Sequence, residues 1–329
     1  MPPTVVRRTL DLAGIQVPLI EITGSAGGPE LTVIAGVHGC EYASIAGVRR
    51  WARALESAEL RGRVRVVPVL NMSAFRARTP FVVPEDGKNL NRCFPGNPSG
   101  TLAERLAHAA FSKLIVGADA VIDVHCGDMV EALEPFTLYE AGPAEDRARA
   151  LATAYGLGYV LRQEPGPGRA VGGTTSAAAA QIGVPAITAE AGGCGLVEQP
   201  AVDLHVRGLD RVLAELEMTD SAPAGRAAGS ARAAGDGGDG AAAEDGDDGP
   251  EPSYLGSFHW LRCADEGWWE PAVNVGDKVS AGQVLGSVSS IDGAVTQEVI
   301  NAPDDGVLLF MTSSPAVAAD GLLLGLGAR

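Results

Sequence analysis

Cysteine is scarce in this sequence: five residues in 329, at positions 40, 93, 126, 194 and 263, with no CxxC spacing. So odd and dispersed a set excludes a disulfide framework and a structural zinc ribbon. Histidine is as rare, with five residues. No uninterrupted apolar run approaches the roughly 18 residues of a membrane-spanning helix. The opening residues, MPPTVVRRTLDLAG, lack the apolar stretch and small-residue cleavage site of a secretory signal, so the expected location is the cytoplasm. Basic residues are outnumbered, 25 Lys and Arg against 41 Asp and Glu, for a net charge of −16. That balance argues against nucleic acid or an anionic membrane surface as a partner.

What is present is core material. The chain is 46% hydrophobic and 20% charged, ordinary values for a globular protein, and its length suggests two domains. Residues 219–252 are nearly devoid of large apolar side chains and carry eight acidic and two basic residues. Such a stretch cannot bury enough surface to offset its ordering entropy, so it reads as a disordered acidic linker. It divides the chain into 1–218 and 253–329. In the first part, β-branched runs at 31–35, 63–70, 120–124, 135–140, 158–161 and 185–189 alternate with helical patterns. The helical patterns fall at 42–57, 101–115, 144–156, 174–183 and 203–216. That alternation predicts an α/β fold, a sheet flanked by helices on both faces. The last part, with its short alternating runs broken by GD, AG and PDDG, predicts a small all-β C-terminal module.

Four polar motifs follow apolar strands: GVHGCE (36–41), NMSAF (71–75), HCGD (125–128) and Glu190 in ITAEAGG (187–193). In open α/β sheets such residues converge at the carboxyl edge of the strands. His38 and Glu41, three apart in a glycine-flanked turn, can meet one ion, and His125 can supply a third ligand from a neighbouring strand end. Two imidazoles and a carboxylate suit one Zn2+ with an open fourth position for water. Glu190, beside that water, can take its proton and pass it to a leaving amine. The polar loop at 76–96 carries Arg76, Arg78, Asn91 and Arg92, fork-shaped donors suited to a substrate carboxylate. His108, His205 and His259 are assigned no part in the site. The motif cysteines, Cys40, Cys93, Cys126 and Cys194, are read as small buried side chains, because a thiol nucleophile needs a base and the site histidines are engaged.

GVHGCE, NLNRCFPG (89–96), DVHCG (123–127) and ITAEAGG, in that order, resemble the succinylglutamate desuccinylase/aspartoacylase family of zinc hydrolases, relatives of the zinc carboxypeptidases. The resemblance spans residues 36–195, and the β module is similar to that family's C-terminal domain. It implies a zinc-carboxypeptidase-like mixed sheet, with His38, Glu41 and His125 as zinc ligands and Glu190 as general base. Asn91 and Arg92 correspond to the pair that holds the substrate carboxylate. Cys40 replaces the family's asparagine, Asn89 replaces the aspartate of Asp-Leu-Asn-Arg, and Thr79-Pro80 replaces a Thr-Arg. Arg78 is the candidate for the missing arginine's place beside the scissile carbonyl. The pattern is closer to the bacterial branch that includes the N-acetyl-diaminobutyrate deacetylase.

The expected activity is therefore a zinc amidohydrolase, one Zn2+ per chain, that removes an acyl group from an N-acyl amino acid. A carboxypeptidase acting on peptides would share the site, and a non-catalytic binding protein is the alternative of another class. The β module has the look of a biotinyl or lipoyl carrier, but Lys278 lies in a GDKV turn and no lysine marks the expected hairpin tip. A structural or substrate-shielding cap is the expectation. The oligomeric state is left open, a homo-oligomer included.

Overall fold

A computed structural model describes residues 2–56, 58–164, 173–220 and 250–329. The predicted linker falls almost wholly on 221–249, outside the described residues. The chain opens with a hairpin, β1 (Thr4–Leu12) and β2 (Ile15–Thr23). Its two-residue turn, Ala13-Gly14, has positive φ at both positions, the geometry that matches strand twist in tight hairpins. There follow β3 (Ala26–Ala35), α1 (Tyr42–Leu55), β4 (Arg61–Val67) and α2 (Met72–Ala77). A short ribbon, β5 (Val82–Val83) and β6 (Lys88–Asn89), runs into a single 3₁₀ turn at Leu90–Arg92. Helix α3 (Leu102–Ala110) widens into a π turn at Phe111–Ile115, together covering the predicted 101–115. The remainder of this part comprises β7 (Ala120–His125), β8 (Glu131–Leu133), β9 (Phe136–Glu140), α4 (Glu145–Tyr155), β10 (Tyr159–Gln163), α5 (Thr175–Gln181), β11 (Ala186–Glu190) and α6 (Gln199–Glu215).

After the linker come β12 (Ser253–Leu255), β13 (Ser257–Arg262), β14 (Gly267–Pro271), β15 (Lys278–Val279) and β16 (Val284–Ser289). The chain ends with β17 (Thr296–Asn301), β18 (Gly306–Thr312), β19 (Ala316–Val317) and β20 (Leu322–Ala328). Nine strands form one mixed sheet in the order β1-β2-β4-β3-β7-β11-β9-β10-β12. Its centre, β4-β3-β7-β11, is parallel, so four strand ends open on the same edge. Both faces of the sheet are covered. Trp51, Tyr155 and Leu209 of α1, α4 and α6 fill one layer, while Leu106, Ile115 and Ala179 belong to the other. Burial on both faces explains why the central strands read as continuous apolar runs with no alternation.

The two parts of the chain are interlocked. Strand β12, from beyond the linker, adds to the large sheet beside β10, while β8, from before it, joins the module's sheet along β18. No helix among the described residues is long and apolar enough to cross a membrane.

Glu140 is an anomaly of this core. It ends β9 buried, with one carboxylate oxygen lacking a hydrogen-bond partner among the described residues. Burial pushes its pKa up to about 7 from an ordinary 4.5. Between those values the folded state holds the proton and the unfolded state does not, so stability falls as pH rises. Glu140→Gln is expected to stabilise the protein by about 1–3 kcal/mol at about pH 8, and to lose that advantage near pH 4.5. Thermal melts at the two pH values check this; a gain independent of pH would rule out the buried charge as its cause.

Candidate active site

The first ligand loop is shaped by close approach. Gly36 turns out of β3 with φ +61, and a Cβ on Gly39 would lie 2.2 Å from the Phe75 nitrogen of α2. Asn71, from the NMSAF motif, braces the loop. Its backbone N–H donates to Gly36 O at 2.8 Å, its side-chain amide donates to Val37 O at 3.3 Å, and its Oδ1 caps α2 through Ala74 N–H. NMSAF is thus a support for the His38 loop. Glu41 sits at the N-cap of α1.

On the neighbouring strands, Asp123 and His125 of β7 are in register with Thr188 and Glu190 of β11. Residues two apart on a strand share a face, so the two rungs present His125 and Glu190 together at the sheet edge, with Asp123 and Thr188 behind them.

His38, Glu41 and His125 are buried, and their ligand atoms lie within 4.8 Å of one another. Glu41 stands between the two rings: its Oε1 is 2.5 Å from His38 Nδ1 and its Oε2 is 2.9 Å from His125 Nδ1. The far nitrogens are held by oxygens, His38 Nε2 at 3.0 Å from Asn89 Oδ1 and His125 Nε2 at 2.9 Å from Asp123 Oδ2. Oxygen acceptors at Nε2 suit a proton there, which leaves Nδ1, on the Glu41 side, as the atom that would face a metal, the arrangement of an outer shell that orients metal-ligating histidines. Burial alone would lower both imidazole pKa values, yet both are raised, His38 by Glu41 and His125, strongly, by Asp123 and Glu41. Burial likewise works to raise Glu41, but the two imidazoles bring it down to about 2. Two imidazoles and a carboxylate, buried with their ligand atoms this close together, fit one metal ion.

Asp123, missed in the sequence, is fully buried; its Oδ2 also accepts from the Thr175 hydroxyl while Oδ1 has no hydrogen-bond partner among the described residues. Its signal was the acid two residues before His125, hidden in the run AVIDV. Asn89 was noticed only as a departure from a motif, although it orients His38.

Glu190 lines the same cavity, and burial pushes its pKa up to about 8, with His125 opposing and the Glu41 and Glu131 charges reinforcing. Asn91 is buried, its Oδ1 accepts from Thr175 N–H at 3.0 Å, and its Nδ2 lies 3.5 Å from His125 Nε2. Arg92 donates from Nη1 to Asn91 O at 2.7 Å and lines the cavity. The structure therefore brings together His38, Glu41, His125, Glu190, Asn91 and Arg92. Arg78 is not among the lining residues; it is an exposed residue capping α2 in the left-handed conformation, φ 56.

The cavity encloses about 410 Å3. The β module supplies part of its wall: Phe258, Trp260, Phe310, Thr312 and Leu322. All five cysteines are free. Burial pushes the Cys126 thiol well up, and Cys40 and Cys93 up as well, so these remain protonated thiols and poor nucleophiles. His205 is a core residue, buried between the Tyr155 hydroxyl and Ala191 O, each at 3.0 Å.

Comparison with known proteins agrees with this geometry. Residues 27–216 match the model of the succinylglutamate desuccinylase/aspartoacylase catalytic domain. The N-alpha-acetyl-L-2,4-diaminobutyric acid deacetylase of Halomonas elongata is 29% identical over 288 residues, which cover 85% of this chain and 77% of that one. A succinylglutamate desuccinylase/aspartoacylase from Rhodobacter sphaeroides superposes with a TM-score of 0.81 at 23% identity, over 100% of this chain and 95% of that one. The product-bound ectoine utilization protein EutE of Ruegeria pomeroyi gives 0.78 at 21% identity, over 99% and 93%. With the catalytic-domain model covering more than half of its length, the chain belongs to the succinylglutamate desuccinylase/aspartoacylase family.

Proposed function

We propose that this chain is a zinc-dependent deacylase that hydrolyses the amide bond of an N-acyl amino acid. The observation that carries the reading is the convergence of His38, Glu41, His125, Glu190 and Arg92 on one cavity. Zinc held by the two imidazoles and the carboxylate would polarise the acyl carbonyl and acidify water at an open coordination position. Glu190 takes the proton of the attacking water and delivers it to the nitrogen of the leaving amino acid. Its elevated pKa suits a group that must both accept and give up a proton near neutrality. Arg92 holds the substrate carboxylate with a planar fork, and the Asn91 side-chain amide supplements it. The wall contributed by the β module supports a small substrate over an extended peptide, and five free thiols fit a reducing, cytoplasmic setting.

The lining also bears on which amino acid is released. Among the described lining residues Arg92 is the one lysine or arginine, whereas Glu131 and Glu190 add two carboxylates outside the metal trio. A second substrate carboxylate would meet repulsion there, so a monocarboxylate with a neutral or cationic side chain fits better. The substrate named for the Halomonas relative, N-acetyl-2,4-diaminobutyrate, is of that kind.

Purified protein, zinc-loaded or chelator-treated, offered N-acetyl-diaminobutyrate, N-acetyl-aspartate, N-succinyl-glutamate and dipeptides, tests the reading. Chelator-sensitive acyl release, fastest from the diaminobutyrate derivative, is expected. Cleavage of dipeptides alone would make the protein a peptidase, and silence on every compound would sink the deacylase reading.

A further inference from the structure

Among the described residues that line the cavity, Glu131 is the one charged residue that neither the metal trio, nor proton transfer, nor carboxylate binding employs. It begins β8 and is fixed from three sides. Its backbone oxygen accepts from Cys194 N–H at 2.8 Å, in the loop after Glu190. Its strand pairs with β18 of the module, Glu131 opposite Thr312 and Leu133 opposite Phe310. Its Oε2 accepts from Asp128 N–H at 2.9 Å, closing a local turn. The second carboxylate oxygen has no hydrogen-bond partner among the described residues, and Glu131 makes no ion pair there, although Arg92 and Glu190 both feel its charge.

The same cavity has an apolar and aromatic wall. Leu133 and Phe136 come from the hydrolase part, and Phe258, Trp260 and Phe310 from the module. The rings form a continuous set: Phe136 to Phe258 at 6.3 Å between centroids, Phe258 to Trp260 at 4.6 Å, Trp260 to Phe310 at 6.3 Å. Aromatic faces beside an unpaired carboxylate suit an alkylammonium, whose methylenes lie on the rings while its charge meets the acid. A purely apolar substituent would shield the half-buried carboxylate from water without matching its charge, and an anionic one would be repelled.

Resting on the deacylase reading, we propose that Glu131 is the specificity residue of this cavity: its carboxylate binds the side-chain ammonium of a diamino acid whose α-carboxylate lies on Arg92. Burial holds the empty-site pKa of Glu131 at about 7, and a bound ammonium would bring the carboxyl to its ionised form. The two anchors bracket the substrate from opposite charges, so a diamino acid is oriented by both of its polar ends.

Glu131→Gln keeps an acceptor for Asp128 N–H and removes the charge. The measurement is the ratio of kcat/KM for N-acetyl-2,4-diaminobutyrate over N-acetyl-2-aminobutyrate, which lacks only the ammonium. The ratio is expected to fall by about 10–100-fold in the variant, the worth of a hydrogen bond to a charged group. A merely structural role would depress both substrates and leave the ratio as it was, which would overturn the proposal. Calorimetry of the products, 2,4-diaminobutyrate against 2-aminobutyrate, gives a second readout without turnover: only the diamino acid should bind more weakly to the variant. If the wild-type protein releases no acyl group from any substrate, the deacylase reading fails, and the binding comparison still decides for or against Glu131.

Discussion

Glu190→Ala should slow release of the acyl group by about 10²–10⁴-fold, the usual worth of a positioned acid–base group, while the protein still folds and still binds metal. Both halves of that expectation follow from where Glu190 stands. It is the last residue of β11, in register with His125, so its carboxylate shares the cavity with the trio without being one of its donors. The contacts that assemble the trio run among His38, Glu41, His125, Asn89 and Asp123, and the substitution touches none of them. What it removes is a half-buried carboxyl whose pKa is pushed up to about 8 by desolvation, tempered by His125. Glu190→Gln separates shape from chemistry, because it preserves the volume and cannot cycle a proton. Turnover and metal content measured on both variants check the assignment. Activity retained in either variant would remove Glu190 from proton transfer, and lost zinc would make it a ligand.

Much of the scaffold was legible because the decisive strands are buried on both faces. LTVIA, AVIDV and PAITA are short continuous apolar runs, and each lies within or along an observed strand, β3, β7 or β11. The residues that meet in the cavity were legible because two of them are local, His38 and Glu41 in one turn, and His125 and Glu190 sit at those strand ends. Hairpin β1–β2 was not read from the sequence: β1 lies at the sheet edge and is mostly exposed, so its pattern carries little burial signal. Asp123 was masked by its own surroundings, since an acid inside an apolar run announces neither a turn nor a site. Arg78 was singled out by its nearness to a motif, but where a helix cap aims its side chain depends on the left-handed turn there, which sequence spacing does not encode. The module's share of the wall rests on β8 meeting β18, Glu131 against Thr312, a pairing across more than half the length of the chain. Such long-range register is set by packing, and local pattern contains no trace of it.

His125→Ala should abolish metal binding, and Asp123→Asn should weaken it by about 10–100-fold with all three ligands intact. The contrast between the two is the informative part. His125 supplies a donor atom itself: its Nδ1 faces Glu41, and no other side chain among the described residues completes a group of three donors there. Removing it leaves His38 and Glu41, two donors where a structural or catalytic zinc site takes at least three from protein. Asp123 acts through His125, accepting the Nε2 proton at 2.9 Å, and its charge raises the basicity of the ring. Asparagine preserves an acceptor oxygen and gives up the charge, so the ring stays oriented while Nδ1 becomes a weaker donor. The buried, half-satisfied carboxylate is otherwise hard to account for, because an uncompensated charge in the core is costly. Competition against a chromogenic chelator measures both affinities, and added zinc should restore the activity of Asp123→Asn but not of His125→Ala. A full zinc complement in His125→Ala would strike it from the ligand set. Unchanged affinity in Asp123→Asn would leave Asp123 a structural partner of Thr175 alone.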